Sequence, residues 1–397
     1  MSGALDGLRV IEAASLVAGP MIGTYFAEYG ADVIKVEDPT RGDEIRYWGA
    51  KKDDHSLMAK TLGRNKRFAS LNLREAEGQR LFRELCKDAD VVIQNTRPET
   101  LKRWGLSYED LKAVNDQIVV VHVTGFGAGG PKSNDPGFGT LGEAMSGFAQ
   151  LTGEQDSPPQ LPRFMLADYV AATHGAFAAM MGLRHRDRTG KGQLIDLSLV
   201  EPLSRYIEMS TLIFDQLGVN SVRNGNQWEH SVPRNVYRSA DHRWVAVSAS
   251  AQSIAHRVFD AIGRPDLKTN PDFADPANRI RNRNQVDALV QEWASQRSLD
   301  EIMNSFEHHQ VAAAPVYDAE TLLSDEHFSQ RAMFVSIQDP DLGAVKVQAP
   351  VARMSESPGS VKFLGKSIGA DNEAVFLEEL LQSDMAEYLR LKSQNII

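Results

Sequence analysis

Apolar runs of four to six residues recur through the first half of the chain, separated by longer stretches with helical periodicity. Arg9-Val-Ile-Glu-Ala reads as a strand, Gly19-Pro20 opens a helix to about Tyr29, and Asp32-Val-Ile-Lys-Val-Glu37 reads as the next strand. A helix over 75–87, a strand Asp90-Val-Val-Ile-Gln94, a short helix over 108–114 and a strand Ile118-Val-Val-Val-His-Val123 follow. A helix over 168–185 and a strand Leu194-Ile-Asp-Leu-Ser198 extend the alternation. Strands apolar on both faces and set between helices predict a parallel sheet covered on both sides. The pattern therefore predicts an α/β fold, with a Rossmann-like large domain over 1–200.

The character changes further on. Val219 to Pro233 is polar and turn-rich, so residues 201–235 read as a linker ending in a long exposed loop. Trp244-Val-Ala-Val-Ser248 reads as a strand and helices are expected over 253–262, 283–296 and 298–308, which predicts a smaller, mostly helical α+β domain over 236–318. A C-terminal segment, 319–397, carries short strands over 334–337 and 344–348 and two terminal helices.

Composition narrows the function. A chain of 397 residues, 42% hydrophobic, can support two or more cores. A formal net charge of −10 argues against nucleic acid or an anionic membrane as partner, though a local basic patch suffices for a small anion. The single cysteine, Cys86, forbids an internal disulfide and fits a reducing, cytoplasmic setting. Met1-Ser-Gly-Ala-Leu-Asp has neither the basic start nor the apolar core of a signal peptide. The apolar run from Val170 to Leu183 is interrupted by His174 and falls short of the ~20 residues that span a bilayer.

Several motifs fail on context. Gly125-Phe-Gly127-Ala-Gly-Gly130 has dinucleotide-fingerprint spacing, but Pro131-Lys-Ser-Asn-Asp-Pro136 follows where a helix should open. Glu307-His308-His309 points its ligand types to different helix faces, so no metal site is expected. There is no Gly-x-Ser-x-Gly elbow. Arg279, Arg281 and Arg283 read as a solvated helix start. More promising is a basic and amide-rich set, Asn65-Lys66-Arg67, Arg74, Asn95-Thr96-Arg97 and Arg103, read as lying at strand ends, because the carboxyl ends of a doubly wound sheet line its ligand crevice. Arginine suits phosphate through its planar fork. Asp168 opens a helical segment, where free N–H groups favour its charged form; that suits a nucleophile, and equally a plain cap.

Taken in order, these segments resemble the class III CoA-transferases. The likeness is carried by Leu5-Asp-Gly-Leu-Arg-Val-Ile, Ala18-Gly-Pro20, Gly30-Ala-Asp-Val-Ile-Lys-Val-Glu37, Gly42-Asp43, Asn65-Lys-Arg67 and Ala89-Asp-Val-Val-Ile-Gln-Asn95. Gly125-Phe-Gly127, Ala167-Asp168-Tyr169, Thr189-Gly-Lys-Gly-Gln193 and Ile195-Asp196 complete it. The family includes formyl-CoA transferase and carnitine CoA-transferase, with α-methylacyl-CoA racemase as a relative. The resemblance implies a large domain completed by the C-terminal segment, a small domain between, and an interlocked homodimer. It implies Asp168 as the nucleophile and Val17, Ala18, Leu71, Arg74, Asn95, Arg97 and Arg103 as contacts to coenzyme A, which is a substrate and not a resident cofactor; Arg74, Arg97 and Arg103 would face its phosphates.

The expected partners are an acyl-CoA and a small carboxylic acid. Such a reaction would run through acyl and CoA adducts of the aspartate, with oxyanions stabilised by loops such as Gly125–Gly130 and Gly137–Gly139. Departures from the family pattern bear on the substrate. Val17 stands where formyl-CoA transferases have Gln, and Asn224-Gly-Asn-Gln-Trp228 replaces a glycine-rich run, which points away from formate and oxalate. Gly137-Phe138-Gly139 lacks the racemase His, which disfavours the alternative of an acyl-CoA racemase or epimerase; a non-catalytic CoA-binding protein would not need Asp168. A small dicarboxylate such as succinate, mesaconate, itaconate or a methyl-malate is expected as one partner, with Arg46 or Arg163 as a clamp for its second carboxylate and Phe138 and Gly139 shaping a compact pocket.

Overall fold

The structure, a computed structural model, describes residues 3–397. Six strands form one parallel sheet: β1 (Arg9–Ala13), β2 (Asp32–Glu37), β3 (Arg67–Ser70), β4 (Val91–Gln94), β5 (Val119–Thr124) and β6 (Gln193–Ser198). Their spatial order is β3-β2-β1-β4-β5-β6, the order of doubly wound dinucleotide-binding folds. Neighbouring residues face opposite sides of the sheet, so Val10 and Val91 join one core while Ile11 and Val92 join the other. The helices α1 (Ala18–Glu28) and α5 (Leu166–Thr189) cover the first side, and α2 (Ala76–Cys86) covers the second. Residues 372–397 close the second side: Val375, Phe376, Tyr388 and Leu391 pack among Ile34, Phe82 and Val120. Two further helices, α3 (Pro98–Trp104) and α4 (Gly139–Met145), flank the carboxyl edge.

The chain divides into two compact units, and the boundaries differ from those expected. The first holds the residues up to Phe148, Leu161–Gly218 and His327–Ile397; the second holds Ala149–Gln160 and Val219–Glu326. Residues 201–217, expected as linker, form helices Glu201–Tyr206 and α6 (Glu208–Leu217) in the first unit, and the second begins at 219, not 236. The inserted strip 149–160 had no composition break to reveal it. It is tied to the second unit by Arg223, which donates to Ser157 O and Gln150 O, and by Gly225, which donates to Gly153 O.

The second unit is α+β. Its antiparallel strands β7 (Arg234–Arg238), β8 (Trp244–Ser248) and β9 (Ala313–Pro315) lie in the order β9-β8-β7. Helices α7 (Gln252–Ala261), α8 (Arg283–Ala294) and α9 (Leu299–His308) enclose Tyr237, Val245, Phe259, Val286 and Phe306. Arg279, expected in solvent, is buried: its guanidinium donates to Val232 O, Phe273 O and Gln252 Oε1, and those acceptors offset the loss of water. Cys86 is buried in the first unit, and burial pushes its thiol up, away from reactivity. Among the described residues, no helix is long and apolar enough to cross a membrane and no cluster of metal-ligating side chains occurs.

Candidate active site

The strand order reverses between β1 and β4, so the loops after these strands diverge and leave a crevice at their carboxyl ends. A cavity of about 320 Å³ lies there, lined by Ser15, Asn95, Arg97, Thr124, Phe138 and Asp168 among others. Asp168 is the third residue of α5; it lines the cavity together with Ala18, and the backbone N–H groups of Ala18 and of Asp168 itself favour its charged form. Gly139 packs directly on it: a Cβ built there would fall on Asp168 Oδ2. Four residues on, and so on the same face of α4, lies the buried Glu143, whose Oε1 accepts the Ala167 N–H at 3.4 Å. Burial, with the Glu143 charge added, raises Asp168 from 3.8 to about 6. The helix-start position favours the ionised form, but desolvation and a like charge outweigh it here.

The expected contacts are placed unequally. Val17 and Ala18 are buried at the start of α1, and Ala18 lines the cavity with Asp168. Arg97 is exposed on the cavity rim and Arg103 exposed in the last turn of α3; neither forms an ion pair among the described residues. Arg74 is exposed, with Asp38 at 3.5 Å. Asn95 spends both ends of its amide on Ser15, accepting its N–H at 3.0 Å and donating to its carbonyl at 2.7 Å. The Leu71 side chain is core, 1% exposed, so only its backbone reaches the strand edge. Phe138 is exposed on the cavity wall.

Arg46 is not brought to Asp168. Its guanidinium grips Glu37 through Nη2 at 2.6 Å and Nε at 3.1 Å, and donates to Lys366 O. It lines a different, larger cavity of about 800 Å³, where Lys60 is paired with Asp339 and Lys366 with Asp371. Those charges are satisfied by the protein, so cavity size alone does not mark the chemistry. Arg163 is exposed and outside the 320 Å³ cavity. Asn65-Lys66-Arg67 precedes β3 or opens it, at the edge opposite the crevice; Lys66 is buried and Arg67 pairs with Asp32 and Glu379. The glycine turn is partly committed too. Gly127 N–H donates to Thr124 Oγ1 and Ala128 N–H to Asp196, while Gly125 and Gly137 pack backbone to backbone, too close for a side chain on either.

Glu143 and a buried charge cluster escaped the sequence reading. Lys35 Nζ lies 3.0 Å from Glu12 Oε1 and 2.8 Å from Asp43 Oδ2, and Lys66 Nζ lies 2.7 Å from Glu12 Oε2. Burial, partly opposed by Glu12, pulls Lys66 down to about 8, while Asp43 is held below its ordinary value, against its burial, by Lys35 and by the Ile45 and Leu16 amides. The signal was available: Glu12 and Lys35 sit inside the strands, next to the apolar pairs Val10-Ile11 and Val33-Ile34.

A parallel sheet in this order, with a partly buried carboxylate at its switch point, defines a doubly wound α/β protein whose ligand lies in the crevice outside β1 and β4. The chain belongs to CoA-transferase family III, whose family model matches residues 5–372. It is 36% identical over 385 residues to the succinyl-CoA–D-citramalate CoA-transferase of Chloroflexus aurantiacus, covering 96% of each chain. It is 34% identical to the beta subunit of that organism's succinyl-CoA–L-malate CoA-transferase, covering 99% of this chain and 98% of the relative. The crystal structure of a CAIB/BAIF family protein from Brucella suis is 29% identical, with a TM-score of 0.85, and the match covers 95% of this chain and all of that one. The protein is thus a CoA-transferase, moving CoA from an acyl-CoA thioester to a free carboxylic acid.

Proposed function

We propose that the enzyme transfers CoA to or from a small dicarboxylic acid, with Asp168 as covalent nucleophile. The carrying observation is the Asp168 carboxylate, lodged against Gly139 and the Ala18 amide in a cavity at the switch point. The Asp168 carboxylate attacks the thioester carbonyl and expels CoA thiolate, leaving a mixed anhydride. The thiolate attacks Asp168 Cγ, releases the first acid and leaves an aspartyl thioester. The acceptor carboxylate then reverses both steps. Every bond is made and broken by carboxylate and thiolate, so no step calls for a metal or redox group. A group that ionises near pH 6 is a stronger nucleophile than an ordinary carboxylate and is still charged at neutral pH.

CoA lies along the carboxyl edge in this reading, with Val17 and Ala18 beside its thioester. The unpaired Arg97 and Arg103, with Arg74 further out, meet its phosphates. The dicarboxylate class is supported by relatives named for citramalate and malate, and by a compact cavity. Arg163, exposed ahead of α5, remains the candidate clamp for the second carboxylate, whereas the Arg46 guanidinium is spent on Glu37. A homodimer belongs to the same reading. None of α6 is buried, and Met209, Phe214 and Leu217 there, with Phe177 and Met181 on α5, leave apolar surface that a second copy would cover. The buried, unpaired thiol fits a cytoplasmic enzyme.

The test is adduct capture. Incubation with succinyl-CoA followed by mass spectrometry should place CoA or a succinyl group on Asp168, and Asp168→Ala should abolish both adduct and turnover. Turnover within tenfold of wild type in Asp168→Ala would exclude the mechanism.

A further inference from the structure

The loop joining β1 to α1, residues 14–17, and the first turn of α1 are held almost peptide by peptide. Lys35 Nζ donates to Ala14 O at 3.0 Å. Asn95 clamps both backbone groups of Ser15. Asp43 Oδ1 accepts the Leu16 N–H at 2.9 Å, fixing a non-glycine residue at φ +67°. Lys66 Nζ donates to Pro20 O at 2.7 Å. The donors and acceptors are not independent. Glu12 bridges Lys35 and Lys66, and Lys35 bridges Glu12 and Asp43, so four buried charges balance to zero under the loop. Gly23 on α1 gives Glu12 the room, since a Cβ there would fall on its carboxylate. Ion pairs this deep contribute little net stability, because desolvation cancels most of the attraction. Their distinctive product here is the position of one group, the Ala18 N–H, at the start of α1 where Ala18 and Asp168 line the same cavity and where that amide favours the Asp168 charge.

We propose that the buried Glu12–Lys35–Lys66–Asp43 cluster is a positioning device for the reaction: it holds the β1–α1 loop so that the Ala18 amide takes up the charge that develops on the Asp168 oxygen. The inference rests on Asp168 being the nucleophile. Two of the four addition steps occur at Asp168 Cγ. When CoA thiolate attacks the mixed anhydride there, a C–S bond forms and the carbonyl pair moves onto oxygen. The tetrahedral oxyanion then collapses and the acid leaves with its C–O bonding pair. The acceptor carboxylate attacks the same carbon later, and thiolate leaves. The Asp168 oxygen nearest the Ala18 amide carries the charge each time. A fixed dipole at that point lowers the barrier without reorganising. It also assigns a donor where the Gly127 and Ala128 amides are already committed elsewhere.

Two variants test it. Asp43→Asn keeps the side-chain shape and removes one charge. Lys35→Met with Asp43→Asn removes one charge of each sign, so the cluster stays balanced and the fold is protected. Each is mixed with succinyl-CoA without acceptor and quenched rapidly, and the Asp168–CoA adduct is followed by mass spectrometry. The expected result in the double variant is a wild-type adduct amplitude, reached roughly tenfold or more slowly, with the KM for acyl-CoA within about threefold of wild type. An adduct formed at the wild-type rate in the double variant overturns the proposal. So does an amplitude that falls in step with the melting temperature at unchanged rate, which would make the cluster a stability element only. Asp168→Ala, run alongside, separates the two readings: if it keeps turnover, the nucleophile assignment fails whatever the cluster variants do.

Discussion

Asp168→Asn separates the chemistry of this carboxyl from the cost of burying it. An amide keeps the shape and still presents an acceptor oxygen, but it cannot ionise. In the folded protein burial, then Glu143, raises the carboxyl from 3.8 to about 6. A folded value above the unfolded one means that the folded state binds the proton more tightly. Stability therefore falls as pH rises from about 4 through about 6, and is level on either side. The interval is about two pH units, which at about 1.36 kcal/mol each corresponds to ~3 kcal/mol. Because the group is only partly buried, water lowers that figure to ~1–3 kcal/mol. Asparagine carries no such penalty. The variant is expected to be more stable than wild type by that amount near pH 8, no more stable near pH 4, and slower in transfer by roughly a thousandfold or more. Urea or thermal unfolding of both proteins across this range, with transfer assayed in parallel, measures the difference. The wild-type rate at low acyl-CoA should also decline as pH drops through about 6, approaching tenfold per pH unit below it. A stability difference that is flat with pH, or a wild-type rate indifferent to pH in this range, refutes the reasoning.

Gly139→Ala puts a methyl where Asp168 Oδ2 lies; the protein should fold, the nucleophile should be displaced, and kcat should drop by roughly a hundredfold with a smaller change in the KM for acyl-CoA. Arg97→Ala and Arg103→Ala should each raise the KM for the CoA substrate by roughly tenfold and leave that for the acid unchanged, since a charge-assisted bond to phosphate contributes ~1.5–3 kcal/mol; steady-state kinetics on both substrates decides it. Arg46→Ala should destabilise by ~3 kcal/mol, because it strands the buried Glu37 carboxylate, without altering the ratio of succinate to butyrate turnover. The same ratio in Arg163→Ala tests the remaining clamp, and an unchanged preference there removes it.

How far the chain could be read depended on the range of the interaction. Strands β1, β2, β4, β5 and β6 were legible because each is a local apolar run, and so was the place of Asp168 in the first turn of a helix. The three-residue strand β9 and the four-residue β3 carry too little periodicity to stand out. The assignment of 149–160 to the second unit depends on Arg223 and Gly225, more than sixty residues away in sequence. Side-chain partners follow the same rule. An arginine near a motif looks equally available whether it is Arg97, unpaired at the crevice, or Arg46, spent on Glu37. The sequence by itself determined the strand–helix alternation, the family and the helix-start place of Asp168, because these rest on residue type and local spacing. Only the tertiary structure decided that this carboxylate is hard to ionise, that Glu143 shares its site, and that four buried charges lie under the loop that leads into α1. Desolvation and Coulomb interaction depend on distances between residues far apart along the chain, and folding alone sets those distances.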